Sequence, residues 1–338
     1  WCVVGLMVCI RVWVLPCLDA LKIGDVTLPL RKSAVVELIE FLAGQHIAIR
    51  DTGLPGDRAR RLRVVARDHH DPDAGRALKR SFEGRGITCL VKTRVEDVAV
   101  KAGMARVTVK GEDGARTVEA DAVLLAAGFV PHTQGLELEA AGVTTQRGFI
   151  TIDEHMETNV PGIYAVGDVT GKLMLAHVAM QQGVIAVEHI AGKAVPVLDY
   201  VQMPRATFCQ PNVGSIGYTE QAAKDAGFTV KSGRFPLTAL GKAVAVGHTE
   251  GFVKVVADAP TGQVLGIHMV GHDVNDLLGE ATMIALLEAT TIEVGFAVHT
   301  HPTRAEAIKE AALAVDGDAI HIARRRAGTQ PPEGAANR

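Results

Sequence analysis

The chain has 338 residues, enough for two or three domains each with its own core. Hydrophobic residues make up 48% of it and charged residues 22%, which excludes disordered and fibrous classes. A net charge of −3 and an aromatic content of 4% leave no footprint for nucleic acid or for an anionic membrane.

Residues 1–70 show no sustained period of 3.6 or 2 and read as an atypical, irregular segment. Their apolar start, WCVVGLMVCIRVWVLPCLDALKIG, is broken by Arg11 and Pro16 and is too short to span a bilayer. No basic stretch precedes it, as a signal peptide would require. The five cysteines (Cys2, Cys9, Cys17, Cys89, Cys209) form neither a CxxC nor a paired framework. That pattern points to a reducing, cytoplasmic setting and away from zinc.

Regular structure is predicted from Pro72 onward. In DPDAGRALKRSFEGRG an aspartate precedes a helix with Ala77, Leu78 and Phe82 on one face and glycine at the stop. ITCLVKTRVEDVAV and ARVTVKGEDGARTVEADAVLLAAG read as strands, with a hairpin turn at GEDGA. This order suggests the back half of an α/β nucleotide-binding unit. RGFITIDEHMETNVPGIYAVGDV adds a strand, a turn and a buried strand that stops at Gly167-Asp168, followed by a helix in HVAMQQGVIAVEHIAG.

A second unit begins near Met203. RATFCQPNVGSIGYTEQAAKDAG gives two strands and a helix capped by Thr219, and GFVKVVADAPTGQVLGIHMVG gives a hairpin turning at DAPTG. DVNDLLGEATMIALLEAT and RAEAIKEAALAV are the closing helices. The polar tail RRRAGTQPPEGAANR is expected to be disordered. The fold class is α/β and α+β: partial Rossmann-like units, then an α+β domain.

Two stretches carry chemistry. In GIYAVGDVTGKLMLAHVAMQQG an apolar strand delivers Asp168 at its carboxyl end, where open α/β sheets bind ligands. Gly167 permits a close backbone approach, and the helix start around Met174 to His177 offers amide donors. Alone, this aspartate reads better as a turn cap. In HTHPTRAE, His301 precedes a proline suited to the first helical position, and Glu306 follows one turn inside. A carboxylate on one imidazole nitrogen fixes the tautomer and makes the ring a general base that returns its proton as an acid. On spacing alone, Glu306 reads equally as a charge favoured by the helix dipole. A metal site has no third ligand at suitable spacing, so no metal is expected. His299 reads as structural.

Read together, these residues resemble the dihydrolipoamide dehydrogenase family, flavin-dependent pyridine nucleotide–disulfide oxidoreductases, from about Asp71 to Ile322. TNVPGIYAVGDVTGKLMLAHVAMQQG is similar to the family's second flavin-binding segment, MPRATFCQPNVGSIGYTE to the entry of its dimerisation domain, and VHTHPTRAE to its HxHPTxSE signature. The resemblance implies a partial NAD-binding domain at 71–130, the second part of an FAD-binding domain at 131–202, a dimerisation domain at 203–325 and a tail at 326–338. It implies FAD and NAD as cofactors. Gly167 and Asp168, with Met174, Leu175, Ala176 and His177, would lie on the flavin. His301 would be the acid–base, Glu306 its orienting partner, and a homodimer the active unit. In the intact enzyme the partner is a lipoyl-bearing protein of a 2-oxoacid dehydrogenase complex.

The chain also departs from the family. It contains neither the GxGxxG loops nor the CxxxxC redox pair. Residues 1–70 stand where the second glycine-rich loop belongs and are expected not to descend from the family in frame. Phe129 replaces the arginine of GRxPN, His132 its asparagine, and Ala305 the serine of HPTxSE. The expectation is a C-terminal portion inactive by itself. The alternatives are a dimerisation module without flavin, or another disulfide or metal reductase of the superfamily.

Overall fold

The computed structural model describes residues 71–101, 104–120, 122–126 and 129–323, with five short strands nearer the N-terminus. Those strands are β1 (Cys2–Val4), β2 (Ala20–Ile23), β3 (Val26–Pro29), β4 (His46–Asp51) and β5 (Arg61–Ala66). The N-terminal segment, read from sequence as irregular, thus contains extended backbone. Besides the local pairs β2–β3 and β4–β5, β4 pairs with β10 and β5 with β6, contacts beyond the segment that a local periodicity does not report. The remainder of that segment and the C-terminal tail expected to be disordered lie outside the described residues.

Helix α1 (Pro72–Gly84) forms for identifiable reasons. Asp71 caps it by accepting from the Asp73 amide at 2.9 Å, and Pro72 fills the first turn. Ala74, Ala77, Leu78, Ser81 and Phe82 recur every three or four residues and are all buried. Strand β6 (Thr88–Val91) follows, then a meander of β7 (Arg94–Lys101), β8 (Met104–Gly111) and β9 (Gly114–Ala120). The alternating Val107, Val109, Val118 and Ala120 close a small core with Leu90. Strand β10 (Ala122–Ala126) joins β4, β5 and β6 in a four-stranded sheet whose β5–β6 pair is parallel.

Next come β11 (Thr145–Gln146), β12 (Phe149–Ile150), β13 (Ile163–Ala165) and helix α2 (Ala176–Ile190). Strand β13 pairs in parallel with β1. Ile185 and Ala186 of α2 pack with Tyr164, Ala165 and Val169.

The last part is a five-stranded antiparallel sheet, order β14-β15-β18-β17-β16. Its elements are β14 (Arg205–Thr207), β15 (Asn212–Gly217), α3 (Glu220–Asp225), β16 (Val230–Pro236), α4 (Gly241–Ala245), β17 (Phe252–Asp258) and β18 (Val264–Gly271). Three helices follow: α5 (Leu278–Leu286), α6 (Thr291–Phe296) and α7 (Glu306–Val315). Strands β17 and β18 are buried on both faces. Val253, Val255, Ile267 and Met269 share a core with Ile308 and Ala311 of α7. On the opposite face, Phe252 and Val270 pack against Ala74, Leu78 and Phe82 of α1.

That second face also buries charge. The Lys254 side chain is 5% exposed, and its Nζ meets Asp71 at 3.0 Å, Asp73 at 2.8 Å and Glu220 at 2.6 Å. Burial opposes its charge, but the three carboxylates prevail and push its pKa up.

The chain divides into two compact units, Trp1–Leu38 with Gly128–Met203, and Ile39–Ala127 with Pro204–Arg338. No helix among the described residues is long and apolar enough to cross a membrane.

Candidate active site

The loop between α6 and α7 carries both histidines of the HTHPTRAE stretch. His301 Nδ1 lies 2.9 Å from Oε1 of Glu306. The other carboxylate oxygen accepts the Thr303 backbone N–H at 2.8 Å. Burial by itself would raise the pKa of Glu306. The Thr303 amide, the His301 hydrogen bond and the nearby imidazoles outweigh burial and hold it below the usual carboxylate value. The His301 side chain is 71% exposed and that of Glu306 15%, so solutes reach the ring while its orienting group stays covered. With Nδ1 engaged, Nε2 is the nitrogen left for proton transfer. Gly241, which begins α4, lies beside the ring, where a Cβ would sit 3.6 Å from Cε1.

The helix start differs from expectation. Pro302 does not open α7, which begins at Glu306 itself. The Thr303 hydroxyl donates to the Thr300 carbonyl at 2.7 Å and its amide is taken by Glu306, so residues 300–303 form a turn instead. His299 has Nε2 2.7 Å from Glu280 on α5 and Nδ1 3.1 Å from the Ala297 carbonyl. Both its nitrogens are occupied, and the ring anchors the loop. Sequence reasoning missed Glu280, Thr303 and Gln182. Only Thr303 left a local signal, the Thr-x-x-Glu spacing.

The second group lies in the other unit. Strand β13 ends, and Gly167 turns the chain at φ 83°. Its amide donates to Gln182 of α2 at 2.7 Å, and its carbonyl accepts the Thr170 hydroxyl at 2.7 Å. Gly171 packs so tightly on the Phe149 ring that a Cβ would fall 2.7 Å from it. In this braced turn Asp168 is half-buried, and burial raises its pKa. No side-chain hydrogen bond reaches its carboxylate from the described residues. Met174 and Leu175 lead into α2, which starts at Ala176-His177 without a side-chain cap. A half-buried carboxylate with no donor among the described residues, next to a helix start whose N-cap Leu175 makes no side-chain bond, suits a ligand carrying both hydroxyl and anionic groups.

Among the described residues, no group of three or more His, Cys, Asp or Glu could hold a metal ion. Cys209 is buried, with its Sγ 3.0 Å from the Pro211 carbonyl.

Comparison with known proteins gives these sites a context. Residues 59–183 match the model of the pyridine nucleotide-disulphide oxidoreductases, and residues 203–312 match the dimerisation domain of the same family. The chain belongs to that family. The match starts at residue 59, inside the segment that the sequence set apart as atypical.

Among individual proteins, the chain is 46% identical over 256 residues to the dihydrolipoyl dehydrogenase of Mycobacterium tuberculosis, covering 75% of this chain and 55% of that protein. It is 40% identical over 254 residues to the dihydrolipoyl dehydrogenase of Bacillus subtilis, covering 75% and 54%. The solved structure of LpdA from Mycobacterium tuberculosis superposes with a TM-score of 0.67 at 31% identity, covering 74% of this chain and 55% of that one. The chain thus spans about 55% of the length of the relatives it matches.

Proposed function

We propose that this chain supplies the acid–base and dimerisation part of a dihydrolipoyl dehydrogenase-like flavoprotein, which oxidises dihydrolipoamide with NAD as the final acceptor. The observation that carries the reading is the His301–Glu306 pair: a solvent-reachable imidazole whose Nδ1 is held at 2.9 Å by a covered carboxylate. Thiols attack disulfides only as thiolates, so thiol oxidation needs a base that removes the proton and later returns it. His301 takes that proton on Nε2, and Glu306 stabilises the imidazolium that results.

Gly167, Asp168 and the Met174–His177 stretch are assigned to FAD. Asp168 would accept a hydroxyl hydrogen bond, and the start of α2 would donate amides. Bound flavin supplies the two-electron relay between a dithiol and a nicotinamide. The partners proposed are a second copy of this chain and the lipoyl-bearing protein of a 2-oxoacid dehydrogenase complex, in the cytoplasm. Phe296 and Val298 support the dimer, since they are 85% and 95% exposed beside the active loop, within the stretch that matches the dimerisation domain.

The sequence holds no CxxxxC pair. By itself this chain therefore has no disulfide to exchange with dihydrolipoamide. The purified chain with FAD and NAD is expected to show no lipoamide turnover. Co-expression with the N-terminal half of the Mycobacterium tuberculosis relative is expected to restore turnover with the wild-type chain and not with His301→Gln. Equal turnover with both would overturn the assignment of His301, and turnover by the chain alone would overturn its inactivity.

A further inference from the structure

Helix α7 starts under an unusual arrangement. Ala305 occupies its N-cap position with helical backbone angles and makes no side-chain cap. Glu306, its first residue, already has both oxygens engaged by His301 and Thr303. The remaining residue of the turn is Arg304, whose side chain is 19% exposed. Its Nη2 lies 3.1 Å from Nδ1 of His272, and its Nη1 lies 3.4 Å from Oδ2 of Asp273.

Both contacts sit on a firm base just beyond β18. The His272 ring stacks on His248 with centroids 3.9 Å apart and planes 10° apart. The Asp273 backbone N–H donates to Asn212 Oδ1 on β15 at 3.0 Å. A second contact links His272 Nδ1 to Asp273 Oδ2 at 2.8 Å. Nδ1 cannot donate to Asp273 and accept from Arg304 at once, but the Arg304–Asp273 ion pair persists in either case. A planar guanidinium fork spans two such neighbours in a way an ammonium does not.

We propose that Arg304 is a positioning residue for His301. It makes no hydrogen bond or ion pair with His301 or Glu306; it fixes the turn between them to the end of β18, and so sets where the carboxylate meets the imidazole. The proposal rests on reading His301–Glu306 as the acid–base pair.

The test uses the whole chain with isotope-labelled histidine, the His301 resonances being assigned with His301→Gln. Wild type should show one dominant His301 tautomer, protonated at Nδ1. In Arg304→Ala that signature averages toward a mixture, and carbethoxylation of His301, mapped by peptide mass, speeds up several-fold. Arg304→Lys recovers part of both effects. Asp273→Asn shifts both readouts in the same direction and adds little to Arg304→Ala.

A merely structural Arg304 would lower the melting temperature and leave the His301 signature of the folded protein unchanged, which overturns the proposal. If Arg304→Ala fails to fold, Asp273→Asn decides by the same readouts. A wild-type chain without the Nδ1–H signature overturns the acid–base reading and this proposal together. A signature present but indifferent to both variants overturns this proposal alone.

Discussion

Gly233 on β16 lies directly beneath Ala311 of α7: a Cβ at Gly233 would fall 2.3 Å from the Ala311 carbonyl oxygen and 2.3 Å from the Val315 nitrogen. Backbone, not a flexible side chain, blocks the space. Gly233→Ala must push the helix off the sheet, and an overpacked core site costs about 3 kcal/mol or more when nothing can yield. A fall in the urea midpoint is the expected result. Because Glu306 begins the same helix, the Nδ1–H signature of His301 should weaken as well.

Lys254 offers a sharper case, since its three partners come from two separate elements. Lys254→Met leaves Asp71, which is 1% exposed, as a buried charge without its cation. Removing one partner of a buried pair costs about 3–5 kcal/mol. The pH dependence has a definite sign. Burial would raise the pKa of Asp73, but hydrogen bonds from Lys254 and Arg76 hold it below the ordinary 3.8. The stabilisation is therefore complete above pH 3.8 and disappears as pH falls through the lower folded value. The raised pKa of Lys254 acts at the other end, with its stabilisation complete below 10.5 and lost as pH rises through the folded value. Urea unfolding across pH should show both limbs in wild type and much reduced limbs in Lys254→Met.

Glu306→Gln separates charge from shape. The amide can still accept from Thr303, but it loses the charge-assisted bond to His301 and the favourable charge at the helix start. A loss of roughly 1–2 kcal/mol is expected at neutral pH. Since the folded pKa of Glu306 lies below 4.5, wild type should lose this increment as pH falls below that value, and the variant should show no such step. Denaturant titrations from neutral to acid pH decide.

Neither described cysteine is suited to redox work. Burial pushes Cys89 up to about 11 and Cys209 up to about 12. Both should resist iodoacetamide at pH 7.5 in the native chain and react once it is unfolded, as followed by peptide mass mapping. Fast native alkylation of Cys209 would contradict its burial.

Much of this was legible in the residues because it is local. Asp71 and Pro72 announce α1, the DAPTG turn announces the β17–β18 hairpin, and His301 with Glu306 announces a pair. Other features are not local. The Lys254–Asp71 bond joins residues 183 positions apart, and nothing near Lys254 marks it for burial. Gln182 reads as one more polar helical residue until the fold brings the Gly167 amide to it. The start of α7 was misplaced because proline's preference for a first helical turn competes with side-chain bonds, here those of Thr303 and Glu306, that only the folded turn brings together.

The contact between α1 and the five-stranded sheet bears on how this molecule is divided. Family boundaries put α1 and β17 in different domains, with the second starting at residue 203. Leu78 and Phe82 nevertheless roof Phe252 and Val270. A chain trimmed to begin at that border would uncover an oily face and strand an ammonium among missing anions. The part that looks self-sufficient on paper borrows its lid from far upstream, so the working seam of this protein runs elsewhere than the seam in its sequence.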